Sequence, residues 1–199
     1  MIVLKSQQEI DIMREANQIV AEVHEELKQR AVPGTTTREL DDLAERIAVK
    51  RKAKCAFKGY RGYPNCLCTS LNEVIVHGIP SDRILKEGDI LSLDFGVIYK
   101  GFCGDAAVTI PIGETSERAV NLMRTTEECL QKAIELMYEG NRLADVSAAI
   151  QEHAEKNGYS VVRDFVGHGI GRNLHEDPQV PNYGKPGTGI RLKRGMVLA

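Results

Sequence analysis

Leu85-Lys86-Glu87-Gly88-Asp89-Ile90-Leu91-Ser92 returns 107 residues later as Leu192-Lys193-Arg194-Gly195-Met196-Val197-Leu198-Ala199. Each copy runs from a leucine through a basic residue and a glycine into an apolar stretch. A second landmark keeps almost the same interval: Gly34 and Gly140, which close two long helical patterns, lie 106 residues apart. A common period in two independent landmarks is the mark of an internal duplication. The fold class this predicts is α+β, built from two related halves around a pseudo-twofold axis. The first half covers about 1–112 and the second about 113–199.

The elements on either side follow the same plan. Ser6-Gln-Gln-Glu9 is a capping box ahead of Ile10, Met13, Val20, Val23 and Leu27 at helical spacing, and Pro33-Gly34 ends that helix. Thr36-Thr37-Arg38-Glu39 caps a shorter helix with Leu40, Leu43 and Ile47 on one face. Strands are expected over 66–70, 74–76, 90–98 and 102–110, the last two joined through Tyr99-Lys100-Gly101. Ser116 caps a second long helix carrying Val120, Met123, Leu130, Ile134 and Met137 as far as Gly140. Leu143, Val146 and Ile150 mark another short helix, ending at Asn157-Gly158.

Composition narrows the function classes. The 199 residues are 42% hydrophobic and 27% charged, which supports a real core and excludes a disordered chain. Lys+Arg 26 against Asp+Glu 28 leaves a net charge of −2, with no basic run and so no electrostatic footprint for nucleic acid. There is neither a signal peptide at the start nor an apolar run long enough for a membrane span, so the chain reads as cytoplasmic. Five cysteines without a C-x-x-C pair read as reduced thiols, Cys66 and Cys68 sharing one face of a strand.

Two aspartates stand out. Leu91-Ser92-Leu93-Asp94-Phe95-Gly96 places a carboxylate in an apolar strand, and Phe102-Cys103-Gly104-Asp105 places another on the returning strand. Antiparallel pairing can bring them together, where they repel unless a cation lies between them. A divalent metal pair answers that need; an aspartate at each strand end serving a turn is the other reading. Val166-Gly167-His168-Gly169-Ile170-Gly171 through His175-Glu176 holds two histidines among glycines that permit close approach. It lacks the dinucleotide glycine spacing and is not His-Glu-x-x-His, so a phosphate cradle is weakly supported and a zincin helix excluded. A third histidine, His77, lies in Asn72-Glu73-Val74-Ile75-Val76-His77-Gly78-Ile79-Pro80 at a strand end. His24 and His153 fall on polar helix faces and are expected to be solvated.

Asn72 to Pro80, Asp94 with Asp105 eleven residues on, and Gly167 to Glu176 together resemble the type I methionine aminopeptidases, in register from the first helix to Ala199. The resemblance implies the pita-bread fold shared with aminopeptidase P, prolidase and creatinase, with residues 1–199 as a single catalytic domain. It implies two divalent ions (Co, Mn, Fe or Zn), Asp94 chelating one, Asp105 bridging both and His168 binding the other. By the same resemblance His175 steadies the developing oxyanion and His77 meets the scissile amide. Phe57, Tyr60, Tyr63, Cys68, His77 and Leu174 line an apolar slot for methionine, and His175 also faces substrate. Phe57 and Leu174 depart from the residues more common in the family there.

The family's remaining two ligands, both glutamates, fall past Ala199 in this register, and the duplication has the chain stopping inside an apolar strand. The expectation is therefore a piece lacking its last strands, inactive or impaired, binding metal weakly and prone to self-association. The implied reaction is release of the N-terminal methionine from nascent polypeptides, through attack by a metal-activated hydroxide on the first peptide bond. The expected partner is a peptide or nascent N-terminus, with transient ribosome contact and a monomeric state when complete. Two rivals remain at this point: a dipeptidase or aminopeptidase P of the same fold, and a non-catalytic binding module that keeps only the fold.

Overall fold

The computed structural model describes residues 1–199. Two compact units make up the chain. One gathers Asp11–Ala119 and Gly171–Leu174; the other gathers Met1–Ile10, Val120–Ile170 and His175–Ala199.

The first unit is a sheet backed by two helices. Helix α1 spans Gln7–Arg30, its start capped as expected: Ser6 N donates to the Glu9 carboxylate and Glu9 N to Ser6 Oγ. Helix α2 spans Thr37–Lys50, closed at its start by the Thr36–Glu39 capping box. The sheet centres on β3 (Ile90–Tyr99). Strand β4 (Phe102–Pro111) pairs along its whole length on one side. On the other side β1 (Lys54–Cys55) and β2 (Leu67–Leu71) lie end to end, both antiparallel to β3. Lys100 and Gly101, both at positive φ, make the tight turn between β3 and β4.

Alternation along β3 gives the sheet two different faces. Leu91, Leu93, Phe95 and Val97 point into a core shared with Ile19, Val23 and Leu27 of α1 and Leu40 and Ala44 of α2. The other face carries Ser92, Asp94 and Gly96. Two glycines let backbone and side chains close up. A Cβ on Gly104 would lie 2.8 Å from the carbonyl carbon of Ala16, so α1 crosses β4 at contact distance. A Cβ on Gly96 would lie 2.7 Å from the Phe57 ring.

The second unit contains α3 (Glu117–Glu135), α4 (Leu143–Lys156), and a two-stranded ribbon of β5 (Gly167–Gly169) and β6 (Glu176–Val180). The duplication is visible in its hydrogen bonds. Helices α2 and α4 are both 14 residues long. Thr36 bridges Ile84 as Arg142 bridges Arg191. Leu85 N donates to Thr35 O at 2.8 Å, and Leu192 N donates to Asn141 O at 2.8 Å. Gly88 and Gly195, equivalent in the two copies, have φ of 89° and 90°. Ile19, Val23 and Leu27 of α1 correspond to Thr125, Cys129 and Ala133, the buried residues of α3.

Four local expectations are corrected. Residues 74–76 form no strand: Asn72, at φ 54°, turns the chain away, and Val74 and Ile75 are exposed. Helix α3 stops at Glu135 rather than Gly140, and Val120, Leu130, Ile134 and Met137 face outward, because the helix packs through Thr125, Cys129 and Ala133. His24 is buried, only 6% exposed, since α1 is covered over a stripe wide enough to include it between Val20 and Leu27. His153 is not free in solvent, its Nε2 lying 2.7 Å from the Glu128 carboxylate. The cysteines are as expected: all five are free thiols.

Candidate metal centre

The polar face of the first unit's sheet is a floor of donors. Residues directly opposite each other in a ladder share a face, so Asp94 stands with Cys68 on one side and Ala107 on the other. Ser92 stands between Ser70 and Thr109, whose Oγ1 lies 2.8 Å from Ser92 Oγ. Asp105 is opposite Gly96, one step diagonally from Asp94, and the two carboxyl groups share a hydrogen bond. Asp94 therefore sits mid-strand, which rules out the turn-aspartate reading for it. Burial pushes the Asp105 carboxyl up to about 6, with the bond from Asp94 pulling the other way. The backbone of Asp105 is fixed from α1, its N–H donating to Asn17 Oδ1 at 3.2 Å.

Around this floor the structure brings several expected slot residues to defined positions. Burial pushes the Cys68 thiol up to about 12, so it stays neutral beside the two carboxyls. Tyr63 shares its hydroxyl between Leu67 O and Gly78 O, each at 3.0 Å. Tyr60 opens a short 3-10 turn over Tyr60–Gly62, with the Arg61 guanidinium 5.4 Å from its ring centre. Phe57 is buried against Gly96, and Leu174 is buried in the Gly171–Leu174 segment. That segment is held to β4, with Cys103 N donating to Gly171 O at 2.8 Å and Arg172 over the Phe102 ring at 4.2 Å.

His77 lies in a loop at φ 61° rather than at a strand end. Its neighbour Gly78 anchors it to β2: Gly78 O accepts from Thr69 N at 2.8 Å, and Gly78 N donates to Ser70 Oγ at 3.0 Å. The packing is so close that a Cβ on Gly78 would meet Thr69 O at 2.3 Å.

The second unit holds the other two histidines. His168 is on β5, and the His175 ring lies 4.2 Å from it, tilted by 39°. His168 Nδ1 is 3.0 Å from Gly169 O, which leaves the Nε2 edge facing outward from that bond. The ribbon is tight here, because a Cβ on Gly169 would lie 2.1 Å from Asp177 O. No three His, Cys, Asp or Glu side chains gather around one point as a ready cation cage.

Two groups escape a reading of the sequence. Asp41 of α2 is buried and accepts from Cys66 N, Leu67 N and Asn65 Nδ2, so it fixes the start of the strand that carries Cys68. The only signal is its place beside Leu40 and three before Ala44, on the helix's apolar face. The second is the pair of Lys5 and Glu176, 2.6 Å apart and buried. Nothing in the sequence links positions 171 residues apart.

The donor set suits a metal ion. Two half-buried carboxyls forced to share a hydrogen bond are hard oxygen donors whose repulsion a divalent cation relieves. Comparison with known proteins agrees. Residues 11–199 match the model of Metallopeptidase family M24. A "Methionine aminopeptidase" of Clostridium acetobutylicum is 54% identical over 200 residues, covering all of this chain and 80% of that protein. "Methionine aminopeptidase 1" of Bacillus subtilis is 51% identical with the same coverage. The crystal structure of a methionine aminopeptidase from Thermotoga maritima superposes with a TM-score of 0.98 at 50% identity, over 100% of this chain and 80% of that one.

Proposed function

The chain belongs to metallopeptidase family M24 and to its methionine aminopeptidase branch, with the pita-bread fold of that family, and from that premise we propose how its residues divide the work. Asp94 and Asp105 hold the metal with their carboxylates and His168 with an imidazole nitrogen, two ions per complete enzyme, drawn from Co, Mn, Fe or Zn. Bound there, divalent ions supply an activated water and polarise the scissile carbonyl. His175 donates a hydrogen bond to the carbonyl oxygen as charge builds on it, a contact of the kind worth about 3–4 kcal/mol in other hydrolases. His77 bonds the amide of the leaving chain.

Methionine is read by Phe57, Tyr60, Tyr63, Cys68 and Leu174. Aromatic and aliphatic walls suit a flexible thioether, and the neutral Cys68 thiol adds no charge to them. The substrate is a peptide or nascent chain with a free N-terminal methionine. Residues 1–199 belong to one catalytic domain, and the complete enzyme works as a monomer in the cytoplasm with transient contact at the ribosome. Five free thiols accord with a reducing compartment.

One observation carries the reading: a chain 54% identical over its whole length to a named methionine aminopeptidase holds two half-buried, hydrogen-bonded carboxyls on adjacent strands. The test is methionine release from Met-Ala-Ser by the protein as encoded, with Mn²⁺ or Co²⁺ titrated into the metal-stripped form. Metal-dependent release from Met-Ala-Ser, with none from an Nα-acetylated copy, is the expected result. Folded protein that binds the peptide and never cleaves it would move the binding-module reading into first place.

A further inference from the structure

The Lys5 ammonium lies 2.6 Å from Glu176 Oε2, with the two side chains only 4% and 10% exposed. Lys5 also donates from Nζ to Val3 O at 3.0 Å, which holds the side chain in one course. Its backbone is fixed as well: Lys5 N donates to Gly195 O at 2.7 Å. A Cβ on Gly195 would lie 2.7 Å from Lys5 O and 3.2 Å from Lys5 N.

The duplication shows that this packing is a special feature of one copy. Gly88, equivalent to Gly195, makes the same turn at the same φ, yet a Cβ there would find only Glu114 O, at 3.9 Å. The turn itself needs glycine for its backbone angle in both copies. In the second copy the space beside the glycine is also filled, and by the backbone of Lys5.

Glu176 begins β6 and directly follows His175. Its partner across the ribbon is Gly169, next to His168, and the register shifts between His168 and Gly169. Glu176 is thus the covalent neighbour of one ring of the His168–His175 pair and the ladder neighbour of the other's strand. A buried ion pair is costly to desolvate and a poor source of stability, so its presence here points to a geometric use. Resting on the function proposed above, we infer that Lys5 is a positioning residue. Through Glu176 it fixes the start of β6, and so the angle and distance at which His175 stands against His168.

The experiment compares Lys5→Met, which removes the charge and keeps the stem, with Lys5→Arg and with Glu176→Gln. Two readouts are taken on the protein as encoded. The first, which needs no turnover, is the imidazole proton and carbon resonances in the metal-free protein, where stacked rings shift each other's signals. Lys5→Met is expected to move the His168 and His175 signals and leave those of His24, His77 and His153 in place. Lys5→Arg is expected to restore them. The second is methionine release from Met-Ala-Ser with Mn²⁺: at least tenfold lower kcat in Lys5→Met with KM within twofold, recovered by Lys5→Arg.

If Lys5→Met melts lower while both ring signals and kcat stay as in the parent, the pair is only a stabilising strut and the inference fails. If Lys5→Met does not fold, Glu176→Gln decides on the same two readouts, since its side chain keeps shape and an acceptor oxygen. Unmoved His168 and His175 signals in folded Glu176→Gln would equally overturn the inference. A parent protein that releases no methionine would sink the proposed function instead, while the ring signals would still decide the role of Lys5.

Discussion

Asp94 and Asp105 meet diagonally across the β3–β4 hairpin, Asp94 opposite Ala107 and Asp105 opposite Gly96, with their carboxyl groups in one hydrogen bond. This arrangement is unfavourable in the protein alone. Two half-buried carboxyls in contact can share a proton, but they cannot both ionise cheaply until a cation joins them. Activity and stability should therefore respond in opposite directions when one is neutralised.

Asp105→Asn keeps the shape and removes the charge. Metal-dependent methionine release should fall more than about 100-fold, a larger loss than the 10–100-fold common for groups that merely support a ligand. The metal-stripped chain should meanwhile gain about 1–3 kcal/mol in urea unfolding at pH 7. A variant that loses both activity and stability would show that the carboxylate is a structural acceptor.

His175→Gln tests the oxyanion role. A preorganised donor aimed at the developing charge contributes to the transition state and little to ground-state binding. The expected outcome is a kcat lower by about 100- to 1,000-fold with a nearly unchanged KM for Met-Ala-Ser. A KM effect alone would reassign His175 to substrate binding.

Gly78→Ala should be among the costlier single-methyl additions in the chain. The new Cβ meets backbone, at 2.3 Å from Thr69 O, so no side-chain rotation relieves it. The loop carrying His77 must shift off β2, at a cost of about 2–3 kcal/mol in thermal or urea unfolding. Loss of the two hydrogen bonds joining Gly78 to Thr69 and Ser70 should appear as faster amide exchange at both sites. Unchanged stability would mean that the loop has a second resting place.

His24 supplies a pH signature. Its imidazole is held well below its ordinary 6.5, at about 4, by burial first and by Lys28 second, with Glu25 opposing, and its Nε2 has no hydrogen-bond partner. The unfolded chain takes up a proton near pH 6.5 and the folded chain only near pH 4, so stability is full above 6.5 and is lost as pH falls through that window. The loss attributable to this residue is about 3 kcal/mol. Subtracting the unfolding profile of His24→Phe from that of the parent should isolate it. A flat difference between pH 7 and pH 4 would contradict the burial argument.

Local chemistry was enough for much of this protein. The Thr36–Glu39 and Ser6–Glu9 boxes, the Lys100-Gly101 turn and the 107-residue repeat are short-range or periodic signals, and the structure contains each of them. The repeat carried the fold class, because duplicated sequence must satisfy the same hydrogen bonds twice, as the matched bonds of Leu85 and Leu192 do. The apolar surroundings of Asp94 and the glycines around His168 single them out as candidates from sequence alone. Other features depend on neighbours distant in the chain. Whether His24 is wet or buried turned on how wide a stripe of α1 is covered, and residues 74–76 had strand-like composition but follow the turn at Asn72 and form no strand. The diagonal that joins Asp94 to Asp105 is a matter of strand register, and the course of Lys5 to Glu176 spans 171 residues. Such pairings are selected by the packing of whole elements, where burial makes a charge costly unless its partner arrives, and no local pattern in either segment encodes the other.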